Sequence, residues 1–211
     1  MNGRRRWILA LAAAVALAAT AYFLLAVPRP VTLREESERF QFFFDGLPDS
    51  ALRPIIDVLE ENYDRIVGDL GVAAMPVVRV KVWKSKAGFY DEMEGLLGVR
   101  YPGADGYVYG AEELHMRLVS NAPGNAVHEF AHVASLNLNP TFANNPRWLW
   151  EAVAIYEAGQ FVHPTRLSYM AMGDYPSIQE LNSDFGRAGT GSTPSATSWL
   201  STLSRTGGWR P

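Results

Sequence analysis

The sequence predicts an α+β protein with an N-terminal transmembrane helix, and three observations support this fold class. An uncharged apolar run of 21 residues, 7–27, follows a basic N-terminus. Strand-like and helix-like segments then alternate without an internal repeat, and two helical segments follow the last strand-like one. A hydrophobic fraction of 48% with 19% charged residues is typical of a globular chain.

The N-terminal region is predicted to export the chain and to hold it in the membrane. Residues 1–6 form a basic cytoplasmic segment, because arginines favour the inner side of a bilayer. Residues 7–27 are long enough to span the bilayer and exceed the apolar core of most cleavable signal peptides. Small residues such as Ala18 and Ala21 leave a cleaved signal peptide as the alternative. We therefore expect the remaining chain to be extracytoplasmic, either membrane-anchored or secreted.

Composition limits the partners and the kind of metal site. Removal of residues 1–30 deletes four arginines and lowers the net charge from −3 to −7. The exported part has no basic block, so we expect no nucleic-acid partner, and the membrane is contacted through the N-terminal helix alone. The chain has no cysteine, so any metal must be held by nitrogen and oxygen ligands. Nothing in the sequence indicates an oligomeric state.

The exported part divides into three regions. Residues 28–36 are predicted to be a polar linker, 37–185 a folded domain and 186–211 an atypical tail. The tail is rich in Ser, Thr and Gly and lacks helical periodicity, which is typical of a disordered end. An out-of-frame translation is the other interpretation. For a suitable choice of synonymous codons, residues 194–210 read in a shifted frame give an amphipathic helix. The C-terminus would then be truncated or frameshifted.

Each element of the domain follows from its residue pattern. The aromatic-rich run 39–44 and the alternating apolar segment 78–83 predict strands. Apolar residues at three- and four-residue steps over 49–70 predict an amphipathic helix that Asp49 or Ser50 caps. The same reasoning predicts the following further elements: a helix over 85–98, one or two strands over 103–119, and helices over 123–137 and from 147.

The motif His-Glu-x-x-His at 128–132 is the strongest functional signal. On a helix, His128 and His132 lie on one face and can bind one zinc ion. Glu129 is then placed beside a zinc-bound water, where its carboxylate can take a proton and later pass it to a leaving amine. The preceding strand is a natural place for an extended peptide to pair by strand addition.

A catalytic zinc ion needs a third protein ligand, and Glu151 is the best candidate. It follows His132 after 18 residues and has apolar neighbours on both sides. A carboxylate in such surroundings is costly to bury without a cation. The alternative is an ordinary surface glutamate paired with Arg147 one turn earlier.

These residues resemble the gluzincin metallopeptidases, and more narrowly the small bacterial peptidase-MA-like proteins. The resemblance rests on His128, Glu129 and His132 with Glu151 in a Trp-Leu-x-Glu-Ala-x-Ala-x-Tyr context, and it covers about residues 37–160. It implies a zincin-like fold with a thermolysin-type catalytic lobe over 37–185. It also implies Zn²⁺ on the two histidines and Glu151, Glu129 as general base, and a peptide or protein substrate. Ile155 stands where thermolysin-like members place an aspartate that holds a ligand histidine, and Glu157 is a possible substitute.

The group that stabilises the oxyanion is the least determined part of the predicted site. Tyr156 is the preferred candidate because it lies in the helix predicted to carry Glu151, and the alternative is a core aromatic on an amphipathic helix. Tyr169, Tyr175 and His163 are further candidates, whereas His115 is expected to be structural.

Two other functions stay open from the sequence. One is a non-catalytic zinc- or peptide-binding module that lacks a complete C-terminal subdomain. The other is a different metal-assisted hydrolysis that uses the same ligands. Retention of Glu129 favours catalysis, because a purely structural zinc site needs no base.

Overall fold

The computed structural model describes residues 31–44, 46–144, 146–161, 172–173 and 177–183. The predicted transmembrane segment 7–27 and the atypical tail 186–211 lie outside these residues. Within the described ranges, no helix combines the length and the apolar character needed to cross a bilayer. The described part contains one mixed sheet and five helices, which confirms the α+β class.

Five strands form the sheet in the order β1-β2-β3-β5-β4. Their bounds are Thr32–Glu36 for β1, Phe40–Phe44 for β2, Val78–Trp83 for β3, Gly106–Val108 for β4 and Glu113–Arg117 for β5. The central pairs β2–β3 and β3–β5 are parallel, whereas the outer strands β1 and β4 pair antiparallel with their neighbours. β4 is therefore an antiparallel edge strand.

Strand β1 corrects the prediction of a polar linker over 28–36. Thr32–Glu36 pairs with Phe40–Phe44 through its backbone, with a register shift between Leu33 and Glu35. Its side chains are mostly exposed, so no apolar alternation marks the strand in the sequence. Charged, exposed residues are typical of edge strands, which explains why this one reads as a linker.

The helices closely follow the predicted periodicity. Their bounds are Asp49–Leu70 for α1, Lys86–Leu97 for α2, Ala122–Leu138 for α3, Arg147–Glu157 for α4 and Ile178–Ser183 for α5. α1 ends at Gly71, whose φ of 68° suits glycine. Its N-cap is Pro48, which makes no side-chain cap, so the prediction that Asp49 or Ser50 caps this helix is wrong.

Two hydrophobic clusters cover the two faces of the sheet. The larger joins α1 and α3 to β2, β3 and β5 through residues that include Phe40, Leu59, Val80, Leu114 and Phe130. The smaller packs α2 against the opposite face and contains Trp83, Phe89, Tyr90, Met93 and Tyr107. α3 also contacts β4 and α4. The helix with the His-Glu-x-x-His motif is therefore held between the sheet edge and the helix that carries Glu151.

Candidate metal centre

Helix α3 places both histidines of the motif on one side. The imidazole rings of His128 and His132 have centroids 4.7 Å apart and meet edge to face. Ala126, Phe130 and Val133, which surround them in the sequence, are fully buried in the larger core cluster. Because the core fixes the rotation of α3, the two rings are held toward α4.

Glu151 of α4 completes a group of three possible ligands. Its Oε2 atom lies 3.4 Å from Nε2 of His128 and 3.5 Å from Nε2 of His132. Two ligands at about 2.0–2.1 Å from one zinc ion, in tetrahedral geometry, are roughly 3.3 Å apart. Charged hydrogen bonds are shorter, at about 2.7–2.9 Å. The spacing of this metal-site cluster (His128, His132 and Glu151) therefore fits an ion between the three groups better than direct hydrogen bonding.

The surroundings of Glu151 decide between the two interpretations of this residue. Arg147 does approach it, with 3.8 Å between Nη2 and Oε1. The carboxylate is nevertheless only 15% exposed, and its other oxygen faces both imidazoles. Burial raises the pKa of Glu151, but the two histidines outweigh this effect and hold it well below its usual range. Glu151 is an ionised, largely buried carboxylate and not an ordinary surface residue.

Burial lowers the pKa of His128, but the carboxylates of Glu151 and Glu129 outweigh this effect and raise it. Burial dominates at the other two motif residues. It lowers the pKa of His132 to about 4, which leaves this imidazole neutral at pH 7, as a metal ligand requires. It raises the pKa of Glu129 to about 7, although the nearby charge of His128 opposes the shift. A carboxyl group with a pKa near neutral is suited to proton transfer.

The two histidines are supported differently. Nδ1 of His128 lies 3.1 Å from Oε1 of Gln160, which follows α4. The ring of His132 packs against Trp150 with centroids 3.8 Å apart, and the Trp150 indole donates to the hydroxyl of Ser135. Nδ1 of His132 is buried and has no hydrogen-bond partner in the described part of the chain.

Glu129 lies against the edge strand β4 at Gly106. A Cβ atom on Gly106 would stand 2.7 Å from both Cγ and Cδ of Glu129, and closer still to Oε1. Such contacts are shorter than any real side chain tolerates, and φ at Gly106 is not positive. Glycine at this position thus leaves the space that the Glu129 side chain occupies, and a Cβ there would require that side chain to move.

A cavity of about 980 Å³ opens over these residues. His128, Glu129, His132 and Glu151 all line it. The remaining lining is mainly apolar, with contributions from Val99, Val108, Leu136, Trp150 and Ile155, and Arg147 adds a cation. The site is therefore accessible to a ligand much larger than water.

Two predicted residues lie away from this cavity. Tyr156 is 52% exposed, packs edge-on against Phe161 and does not line the cavity. Five positions after Glu151 on a helix with 3.6 residues per turn, it projects from a different side of α4. Glu157 faces α1, where its Oε2 accepts a 2.6 Å bond from Arg65, so it does not support a ligand histidine. Tyr169, Tyr175 and His163 lie outside the described residues.

His115 belongs to a second cluster on the α2 side of the sheet, formed by Glu113, His115 and Tyr107. Its Nε2 lies 2.6 Å from Oε1 of Glu113, and its Nδ1 is 2.9 Å from the Tyr107 hydroxyl. Arg79 and Lys81 also bind the Glu113 carboxylate, at 2.8 and 2.9 Å. Every polar side-chain atom of His115 is thus paired in this sheet cluster.

Sequence reasoning missed Gln160, Gly106 and Trp150. Gln160 was detectable in part, since a Gly-polar pair directly after a helix indicates a C-terminal cap.

Comparison of the chain with protein-family models, with curated proteins and with solved structures found no match. The gluzincin resemblance stays a prediction.

Proposed function

We propose that the chain is a zinc-dependent metallopeptidase of the gluzincin type with a zincin-like fold. The observation that carries the proposal is the distance of 3.4 and 3.5 Å from the Glu151 carboxylate to the two imidazoles of His128 and His132, which suits ligands of one zinc ion at the wall of an open cavity. Two imidazoles and one carboxylate, with space for a further ligand, are the donor set of many catalytic zinc sites.

Each residue has a distinct part in this chemistry. His128, His132 and Glu151 would hold the ion, and zinc, when bound, acts as a Lewis acid and acidifies a water ligand. Glu129 would take the proton of the attacking water on its carboxylate and deliver it to the amine of the departing peptide. Arg147 is the cation of the described cavity lining and is better placed than Tyr156 to meet developing negative charge.

The position of Glu129 favours an enzyme over a non-catalytic module. Glu129 is 8% exposed, lines the cavity and has a pKa raised by burial to about 7. Burying a carboxyl group without a charged hydrogen-bond partner is costly, and a structural zinc site gains nothing from it. A role as general base would explain why the carboxyl group of Glu129 is buried despite this cost.

A peptide in extended conformation is the substrate that suits the site. β4 is a sheet edge, and its three residues Gly106, Tyr107 and Val108 line the cavity beside Glu129. An edge strand offers free backbone groups that an added strand can pair with. The apolar lining would then receive side chains of the bound peptide.

The location of the enzyme follows from the N-terminus. An anchor over 7–27 would hold the catalytic domain on the extracytoplasmic side, and cleavage there would release it. If residues 186–211 are an out-of-frame product, a full substrate cleft needs the segment that they replace.

The deciding experiment compares Glu129→Gln with Glu94→Gln, a matched change on the exposed side of α2. We expect about one zinc per chain in both full-length proteins, and a loss of peptide cleavage by about 10²–10⁴-fold in Glu129→Gln alone. Zinc content is measured by atomic emission and cleavage with a mixed peptide library. Zinc binding by a parent that cleaves no peptide would instead support the non-catalytic module.

A further inference from the structure

We propose that Gln160 is a positioning residue that fixes His128 in the tautomer with its proton on Nδ1, so that Nε2 is free for the metal. The proposal rests on the proposed metal site. The side-chain amide of Gln160 lies between two groups of α3: Nδ1 of His128 at 3.1 Å and the carbonyl oxygen of Gly124 at 3.0 Å.

The orientation of the amide follows from its second contact. The carbonyl oxygen of Gly124 can only accept a hydrogen bond, so the NH₂ group of Gln160 must face it. Oε1 of Gln160 then faces His128 and can only accept, which requires a proton on Nδ1. A neutral imidazole with Nδ1–H carries its lone pair on Nε2, the atom that lies 3.4 Å from Glu151.

The end of helix α4 is built to deliver Gln160 to this place. Gly159 has a φ of 62°, its N–H donates to the carbonyl of Tyr156, and the N–H of Gln160 donates to the carbonyl of Ile155. This is a Schellman motif, which reverses the chain direction directly after the helix. α4 therefore supplies the third ligand, Glu151, and its C-terminal cap supplies the group that orients the first ligand.

The other ligand histidine lacks such support. Nδ1 of His132 is buried without a hydrogen-bond partner among the described residues, and the rings of Trp150 and His128 pack against the imidazole. Outer-shell hydrogen bonds fix the orientation of ligand histidines and raise their basicity. The geometry thus assigns preorganisation of the site to one histidine, and Gln160 is the residue that provides it.

The test uses Gln160→Leu, Gln160→Glu and the control Gln41→Leu, a glutamine on β2 that bonds Glu36 far from the site. In the metal-free full-length parent, at a pH high enough for the His128 ring to be neutral, long-range ¹H–¹⁵N spectra should show its proton on Nδ1 and none on Nε2. Gln160→Leu should lose this preference and bind zinc about 10–100-fold more weakly in competition with a chelator. Gln160→Glu keeps an acceptor toward Nδ1 and should retain the tautomer, whereas Gln41→Leu should change neither quantity.

The outcomes separate this proposal from the function. An Nε2–H tautomer in the parent, or an unchanged tautomer in Gln160→Leu, would overturn the role of Gln160. So would a Gln160→Leu protein that loses stability in urea while its tautomer and zinc affinity stay at parent values. A parent that binds no zinc would overturn the proposed function, and the tautomer of the metal-free protein would still decide the role of Gln160.

Discussion

Two clusters in the described part of the chain combine histidine with glutamate, and they differ in how their polar atoms are paired. In the sheet cluster, His115 is fully buried and bonds Glu113 at 2.6 Å and Tyr107 at 2.9 Å. In the metal-site cluster, the corresponding nitrogen–oxygen distances are 3.4 and 3.5 Å, and one nitrogen of His132 has no hydrogen-bond partner in the described residues.

The comparison shows how spacing separates a structural cluster from a candidate binding site. Buried polar groups are normally hydrogen-bonded, and the sheet cluster obeys this rule without any added ligand. The metal-site cluster holds the same chemical groups slightly too far apart for hydrogen bonds, beside a cavity. A cation bound by the three side chains of the metal-site cluster would explain this spacing.

The largest effect is expected when the two clusters are compared for zinc binding. His132→Ala removes one of three ligands, so the protein should fall from about one zinc per chain to none retained after gel filtration. His115→Gln leaves the three ligands intact and should keep its zinc. Equal zinc loss in both variants, with both still folded by circular dichroism, would contradict the distinction between the clusters.

A second prediction tests the space between the metal-site helix and the sheet edge. Gly106→Ala places a methyl group where Glu129 now lies, so the carboxyl group must move. We expect kcat/KM for peptide cleavage to fall by at least about 100-fold while zinc is retained, because the base is displaced and the ligands are not. Gly95→Ala is the matched control, since its Cβ would meet nothing within 4 Å. Full activity in Gly106→Ala would mean that Glu129 need not stay where the structure places it.

Much of the fold and half of the site follow from local sequence patterns. Helical spacing alone brings His128 and His132 together, and burial of Glu151 among apolar neighbours indicates its special role. Strand β1 was missed because an exposed edge strand is held by backbone pairing and leaves no apolar alternation. Patterns that depend on one element are therefore the ones that the sequence reveals.

The remaining features depend on how separate elements pack. Gly106 matters because β4 passes Glu129 closely, and a glycine with an ordinary φ gives no local sign of such contact. Gln160 reaches His128 across 32 positions of the chain. Tyr156 was predicted to belong to the site because it is close to Glu151 in the sequence. On a helix, however, it projects from a different side and does not line the cavity.

The smallest effect concerns the pH dependence of folding in the sheet cluster. Burial lowers the pKa of His115, although its bond to Glu113 opposes the shift. Below the unfolded pKa of about 6.5, the unfolded chain therefore binds a proton that folded His115 does not bind, and the free energy of unfolding falls as pH decreases.

His115→Gln removes this contribution, which is at most about 1.4 kcal/mol per pH unit. The free energy of unfolding of both metal-free proteins is measured in urea between about pH 5 and the unfolded histidine pKa of about 6.5. Its plot against pH should be flatter for the variant. His132, whose pKa is also lowered, contributes to both profiles and cancels in their difference. Parallel profiles would show that the pKa of His115 is not lowered in the folded protein, and burial would then not hold the imidazole neutral in the Glu113–His115–Tyr107 chain.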